Sequence, residues 1–105
     1  MIQKGDIYYI LPFDGGSSGY RAAVVVSADE INQKHDKVSV AYLSSKRSTE
    51  ESRTHANIRS SGRRSYAVLE GVTTLPKTRL GACLGHVTAE EGISIDAALC
   101  VAFGL

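Results

Sequence analysis

Arg21-Ala22-Ala23-Val24-Val25-Val26-Ser27 is the stretch of this 105-residue sequence that decides the fold. Its three consecutive valines leave it no polar face, and such runs are typical of a strand buried on both sides. The chain has the length of one ordinary domain and holds no run near the roughly 20 apolar residues of a membrane helix. We therefore expect a single domain over residues 1–105, organised around this strand.

Further runs rich in β-branched and aromatic residues lie on both sides of this strand. We interpret each as a strand: residues 5–11, 37–43, 54–58, 65–69 and 80–87. Residues 12–19 and 44–53 are rich in Gly, Ser or charge and are expected to be loops. Residues 29–32 are predicted to form one helical turn, and the segment around Pro76 is expected to be a connection.

One long helix is predicted at the end of the chain. Thr88 is followed three residues later by Glu91, which is the spacing of a capping box. Apolar residues then recur at helical spacing and predict one buried face: Ile95, Ala98, Leu99, Ala102 and Phe103. Gly104 is placed to end the helix. Many short strands with one terminal helix favour a mainly β fold, a small and strongly bent barrel.

Composition excludes several classes of protein. The hydrophobic fraction of 43% and the charged fraction of 22% are those of an ordinary soluble domain. The N-terminal residues do not resemble a signal peptide, so we expect a cytoplasmic protein. Cys83 and Cys100 lack Cys-x-x-Cys spacing and are expected to be buried free thiols. Because P-loop, His-Glu-x-x-His and Gly-x-Ser-x-Gly motifs are missing, we expect neither a metal nor a cofactor.

Arg21 and the pair Thr54-His55 are the candidates for chemistry. Arg21 stands where a Gly-rich stretch gives way to the buried strand, and a guanidinium fixed at a strand end matches phosphate oxygens. A hydroxyl can donate to a phosphoryl oxygen, and an imidazole can move protons near neutral pH. A solvated arginine and a structural Thr-His pair would look the same, so both interpretations stay open.

Basic residues are concentrated in the middle of the chain. Residues 46–64 contain six Lys or Arg and two Glu, which is 6 − 2 = +4, and this leaves 1 − 4 = −3 for the rest of the chain. Such a basic segment fits a surface that binds a polyanion. A solvated charged loop would have a similar composition.

Six segments, in order along the whole chain, resemble the MazF/PemK family of bacterial toxins. They are Lys4-Gly5-Asp6-Ile7-Tyr8, Gly19-Tyr20-Arg21-Ala22-Ala23-Val24-Val25-Val26-Ser27 with Asp29 and Asn32, Thr54-His55-Ala56-Asn57-Ile58, Leu75-Pro76-Lys77-Thr78-Arg79-Leu80, Leu84-Gly85-His86-Val87, and Ile95-Asp96-x-Ala98-Leu99. Their order and spacing carry the resemblance.

The resemblance implies a small SH3-like, CcdB-like β-barrel with a C-terminal α-helix, which forms a homodimer. It implies metal-independent cleavage of single-stranded RNA at a preferred sequence. Attack by the RNA's own 2′-hydroxyl would then leave a 2′,3′-cyclic phosphate and a 5′-hydroxyl. The implied protein partner is a cognate antitoxin; DNA would be contacted only through that antitoxin, and no membrane is involved.

The resemblance also assigns site residues. Arg21 and Thr54 match the catalytic arginine and threonine, whereas His55 and Glu70 match positions of auxiliary acid–base groups or RNA contacts. Further RNA contacts are expected from polar and basic residues in or beside the matching segments: Gly19, Tyr20, Lys46, Arg47, Arg53, Thr73, Lys77 and Arg79.

Departures from the family pattern leave two alternatives. Many members carry Pro at the position of Ala22, a change that should matter little to the chemistry. Many also carry Gln and Arg at the positions of Gly71 and Thr73, so this chain could be a weakened member that binds RNA without cutting it. A CcdB-like gyrase poison shares the barrel and ends in Trp-Gly-Ile. This chain ends Phe103-Gly104-Leu105 without the tryptophan, so the nuclease is favoured.

Overall fold

The computed structural model describes residues 1–12, 21–45 and 52–105. Within these ranges the elements are β1 (Asp6–Ile10), β2 (Ala22–Val25), α1 (Asp29–Lys34), β3 (Lys37–Ser44), β4 (His55–Ile58), β5 (Ser65–Val68), β6 (Thr73–Pro76), β7 (Leu80–His86) and α2 (Ala89–Phe103). Two short 3₁₀ turns, Leu69–Gly71 and Lys77–Arg79, lie on either side of β6. The mainly β class with a C-terminal helix is confirmed.

The strands form one antiparallel sheet in the order β4-β5-β3-β2-β1-β7, and β6 pairs with β3. The first half of β3 pairs with β6 and its last two residues pair with β5. Because two strands share one edge of β3, the sheet bends there as in a barrel. Within the described residues no ladder joins β4 to β7, so the barrel-like sheet is not closed.

Strand β2 is buried on both faces, as its valine run predicts. Ala22 and Val24 enter a larger apolar cluster that α2 covers, whereas Ala23 and Val25 enter a second cluster with residues of β1, β3 and β6. Side chains alternate between the faces of a strand, so four residues can supply both clusters. Burial on both faces fixes the position of Ala22 at the start of β2, and therefore also the backbone of Arg21, the residue before it.

Helix α2 begins and ends where its capping signals predict. The Thr88 hydroxyl accepts a hydrogen bond from the Glu91 N–H, and the Glu91 side chain accepts one from the Thr88 N–H. Gly104 ends the helix in the left-handed conformation, with φ of 67°. The predicted apolar face is wrong at Phe103, which is 53% exposed. The helix packs on β4 and the first 3₁₀ turn; Leu99 and Ala102 pack against the core, whereas Phe103 lies on the solvent side.

Two further features differ from expectation, namely the segment before Pro76 and the two cysteines. Residues 73–76, expected to be a connection, form the edge strand β6, which ends on Pro76 where a missing N–H costs little. Cys83 and Cys100 are exposed rather than buried, because they occupy the outer sides of β7 and α2. The predicted loops at 12–19 and 44–53 lie largely outside the described residues. Neither α1 nor α2 has the length and apolarity needed to cross a membrane.

Candidate active site

Thr54, His55 and Glu70 come together at the start of β4, although Glu70 lies fifteen residues further along the chain than His55. Strand β5 returns alongside β4, and the Leu69 N–H then donates to the Thr54 carbonyl at 2.9 Å. This bond holds the following 3₁₀ turn against the start of β4. As a result, His55 Nε2 lies 3.1 Å from Glu70 Oε1.

Glu70 is held as a carboxylate. Partial burial raises its pKa, but hydrogen bonds from the Thr54 side chain, from its own backbone and from His55 outweigh this, so its pKa lies below the ordinary value of 4.5. The half-exposed Glu70 side chain therefore presents a full negative charge to solvent at neutral pH. Such a group can accept a proton or orient a neighbouring donor.

Neighbouring side chains orient Thr54 and His55. The Ser52 and Thr54 hydroxyl oxygens lie 2.9 Å apart, within hydrogen-bonding distance. The His55 ring stacks on Tyr66 of β5, with 4.8 Å between ring centroids and 26° between planes. These contacts leave the imidazole and the Thr54 hydroxyl few orientations, which is what a preorganised site requires.

Arg21 is fixed at both ends. Its backbone carbonyl accepts a hydrogen bond of 2.9 Å from the Ile10 N–H, which extends the pairing of β1 and β2 by one residue. Its guanidinium carbon lies 4.0 Å from the centroid of the Tyr42 ring. This is a cation–π contact, in which the face of the guanidinium lies against the ring. The N–H groups along the exposed edge of the guanidinium can still donate hydrogen bonds.

The strand register places these groups on one face of the sheet. Directly paired residues point to the same side, and the pairs Ala23↔Tyr42, Ser44↔Tyr66 and Asn57↔Tyr66 connect β2 to β4. Tyr42 and His55 are two strand spacings apart, about 10 Å. The geometry therefore brings Arg21 to the same open face as the Thr54–His55–Glu70 group, with Tyr42 and Tyr66 between them.

The remaining predicted RNA contacts are distributed differently. Arg53 is exposed beside Thr54. Arg79 donates twice to the Leu11 carbonyl, from Nε at 3.0 Å and Nη2 at 2.9 Å. The Lys77 N–H donates to the carbonyl of Asp36, the residue just before β3. Lys77 therefore lies at the end of β3 that is away from Arg21. Thr73 pairs with Val40 in mid-strand.

Four predicted RNA contacts fall outside the described residues: Gly19, Tyr20, Lys46 and Arg47. Sequence reasoning missed Ser52, Tyr42 and Tyr66. Tyr42 lies within the predicted strand 37–43, and only the structure reveals that Arg21 lies above its ring. The parts of the chain that the structure describes contain no group of three His, Cys, Asp or Glu side chains able to hold a metal ion.

Known proteins share this fold over their whole length. A family model for the PemK-like, MazF-like toxin of type II toxin–antitoxin systems matches residues 3–103. An endoribonuclease solved in complex with its cognate antitoxin, from a mycobacterial species, is 24% identical, with a TM-score of 0.87 over 100% of this chain and 97% of that one.

Two other solved structures are similar. A mycobacterial endoribonuclease is 25% identical, with a TM-score of 0.83 over 99% of this chain and 92% of that one. A chain of the MazE–MazF crystal structure from Deinococcus radiodurans is 13% identical, with a TM-score of 0.78 over 99% and 97%. Because the family match spans nearly the whole sequence, this chain belongs to the PemK-like, MazF-like toxins of type II toxin–antitoxin systems.

Proposed function

We propose that this chain is a metal-independent endoribonuclease that cuts single-stranded RNA at a preferred sequence. One observation carries the proposal: Arg21, held over Tyr42, shares an open sheet face with the hydrogen-bonded group of Thr54, His55 and Glu70. A cationic fork, a hydroxyl and an ionised carboxylate are the groups that transesterification of RNA requires. The endoribonucleases of the same fold support it.

The substrate brings its own nucleophile. The RNA 2′-oxygen attacks the adjacent phosphorus, the new O2′–P bond forms, and the P–O5′ bond breaks. The 2′-hydroxyl proton passes to the Glu70 carboxylate, and the leaving O5′ takes up a proton. The products are a 2′,3′-cyclic phosphate and a 5′-hydroxyl, so no metal-bound water is needed.

Each side chain has one role in this scheme. Arg21 neutralises charge on the phosphorane and supplies the proton to O5′. The Thr54 hydroxyl donates to Glu70 in the free protein; when RNA binds it turns to a non-bridging oxygen, a contact that strengthens as charge develops there. His55 is a positioning residue: its hydrogen bond to Glu70 and its stack on Tyr66 hold the carboxylate in place.

The partners follow from the family. We propose that the chain acts in the cytoplasm as a homodimer and is neutralised by a cognate antitoxin protein. The mycobacterial relative in complex with its antitoxin supports this assignment. DNA would be contacted only through the antitoxin.

A single experiment tests the activity. Purified protein is incubated with a long single-stranded RNA in excess EDTA, and the fragment ends are mapped. We expect discrete cuts with 5′-hydroxyl ends, and no cut where the nucleotide before the scissile bond is 2′-deoxy. Arg21→Ala and Thr54→Val should each lower the rate by at least about 100-fold, whereas Thr54→Ser keeps the hydroxyl and should keep most activity.

Each failure has a distinct meaning. Intact RNA that the folded wild-type protein retains on a filter would identify a binding-only family member. Intact RNA without retention, together with inhibition of DNA gyrase, would identify a gyrase poison. Cleavage that appears only when Mg²⁺ replaces EDTA would contradict the metal-free mechanism.

A further inference from the structure

A small cavity opens at the mouth of the barrel-like sheet, at the end where Arg21 leads into β2. Its volume is about 80 Å³, and it lies between the ends of β2 and β3 and the turn that joins β4 to β5. The lining residues are Ala22, Leu43, Ser45, Ser61, Arg63 and Ser65. None of these side chains belongs to the catalytic group described above.

The cavity and the catalytic face are next to each other on opposite sides of the sheet end. Ala22 lines the cavity and directly follows Arg21, so their Cα atoms are about 3.8 Å apart. Alternate residues of a strand point to opposite faces, and Ala22 therefore faces inward while Arg21 faces the catalytic side. An RNA strand that crosses the sheet end beside Arg21 would place a neighbouring nucleotide at the cavity.

Two hydroxyl groups of the cavity, those of Ser61 and Ser65, can accept hydrogen bonds. Ser65 Oγ donates to the Ile58 carbonyl at 3.1 Å, and Ser61 Oγ donates to the Arg63 carbonyl at 3.3 Å. A hydroxyl that has donated its proton keeps lone pairs that accept. A guanidinium, in contrast, can only donate. The lining thus combines an arginine fork, accepting oxygens and the apolar side chains of Ala22 and Leu43.

This combination fits a nucleobase better than a phosphate. A phosphate carries acceptors alone, so it would leave the accepting serine oxygens unmatched and bring charge against two apolar side chains. A guanine base has O6 and N7 as acceptors for an arginine fork. Its N1–H and N2–H groups are donors, and its flat faces are suited to apolar contact.

We propose that this cavity, bounded by Arg63 and the three serines, receives the hydrogen-bonding edge of a guanine base of the RNA next to the scissile phosphate, while the rest of the base lies across its mouth. The inference rests on the proposed nuclease function and names the residue that would set its sequence preference. Recognition of an unstacked base through its edges is the usual way that proteins read single-stranded RNA. Arg63 belongs to the exposed β4–β5 turn, so the pocket can form without altering the catalytic groups.

Arg64 provides a matched control, because it is an exposed arginine in the same turn and does not line the cavity. The cut sites of the wild type, Arg63→Ala, Arg63→Lys and Arg64→Ala are mapped on one long RNA. We expect guanine to be enriched at one position beside the cut in the wild type. Arg63→Ala should reduce that enrichment about tenfold, Arg63→Lys should do the same because it lacks the fork, and Arg64→Ala should retain it.

A binding measurement separates the pocket from the chemistry. The probes are short 2′-O-methyl oligouridines, which cannot be cut, carrying either one guanine or one adenine. The wild type should prefer the guanine probe, and Arg63→Ala should lose the preference while melting at the wild-type temperature. If the wild type cuts RNA but Arg63→Ala and Arg64→Ala have its cut-site profile, the pocket is wrong and the nuclease stands. If the wild type cuts nothing but shows the Arg63-dependent guanine preference, the nuclease is wrong and the pocket stands.

Discussion

The guanidinium of Arg21 lies over the ring of Tyr42, 4.0 Å from its centroid. The arginine is otherwise exposed, and the residues before it lie outside the described part of the chain. An unsupported arginine side chain would lose about 2 kcal/mol of rotamer entropy on being ordered by a phosphate. Because Tyr42 restricts the side chain beforehand, part of that cost is already met in the free protein.

Tyr42 is therefore expected to act as a positioning residue for Arg21. A cation–π contact at an exposed site is worth about 0.5–1 kcal/mol, so Tyr42→Leu should lower kcat/KM by about two- to fivefold. Tyr42→Phe keeps the ring and should stay close to the wild type. Single-turnover cleavage of one RNA by the three proteins measures this. Equal losses in Tyr42→Leu and Tyr42→Phe would assign the effect to the hydroxyl and contradict the ring contact.

The pH dependence of cleavage should report on Glu70. Its pKa lies below 4.5, because hydrogen bonds from Thr54, its own backbone and His55 outweigh the effect of partial burial. Glu70 is then ionised at neutral pH, and kcat/KM should remain level on acidification until the pH falls below 4.5. Glu70→Gln should have a much lower rate and no acid limb in that range. The measurement is kcat/KM between about pH 3 and pH 8 with a fixed RNA.

His55→Gln serves as the comparison for that profile. The variant can still donate to Glu70, so it should lower the rate less than Glu70→Gln and leave the acid limb in place. A limb in the neutral range that vanishes in His55→Gln would make the imidazole, rather than Glu70, the proton acceptor. The two profiles together therefore assign the base to one member of the pair.

Local signals in the sequence predict most elements of the fold. The valine run of β2 and the Thr88–Glu91 box of α2 each encode their structure within a few residues. Strand β6 was missed because Pro76 argues against a strand, and only its place at the edge of β3 makes the residue acceptable. The exposure of Cys83 could not be predicted, because it depends on which face of β7 is covered.

The candidate site shows the limit of sequence reasoning more clearly. Arg21, Thr54, His55 and Glu70 were singled out by chemical type and by resemblance, but nothing in the sequence indicates that Glu70 meets His55. That contact depends on the register of β4 with β5 and on the 3₁₀ turn after it. The contact of Tyr42 with Arg21 likewise depends on strand register, here that of β2 with β3. From sequence alone, an aromatic residue in a strand is more simply interpreted as part of the core.

Glu91 should be a pH-sensitive stabiliser of the fold. Its carboxylate accepts from the Arg59 N–H at 2.7 Å, from the Thr88 N–H at 2.9 Å and from the Ser60 hydroxyl, and so ties α2 to the β4–β5 turn. Partial burial raises its pKa, but the bonds from Ser60, Arg59 and Thr88 outweigh this and lower it. The stability gained is therefore present above pH 4.5 and is lost as the pH falls through the folded-state value.

Glu91→Gln should accordingly lower the free energy of unfolding at pH 7 by about 1–2 kcal/mol. The difference from the wild type should shrink towards zero as the pH is lowered to about 3. Urea denaturation at several pH values measures both effects. Glu90→Gln, next to it in the first helical turn, should lose only about 0.3–1 kcal/mol of helix-dipole interaction. Similar losses for the two variants at pH 7 would show that the link to the turn adds nothing.

Gly85 marks the place where β7 passes closest to the β4–β5 turn. A Cβ atom at this position would lie 2.3 Å from the Ser60 carbonyl oxygen, which belongs to the backbone and cannot rotate away. We expect Gly85→Ala to lower the free energy of unfolding by about 2–3 kcal/mol. Gly92→Ala is the matched control, because a Cβ there meets nothing within 4 Å.

In the interior of α2, Gly92→Ala should raise the free energy of unfolding by about 0.5–1 kcal/mol. Opposite signs for the two Gly→Ala changes, measured by urea denaturation, would establish that β7 packs closely on the turn that also bears Arg63. A Gly85→Ala protein as stable as the wild type would instead mean that β7 and the turn can separate. The proposed guanine pocket, which depends on the position of that turn, would then lack a rigid wall.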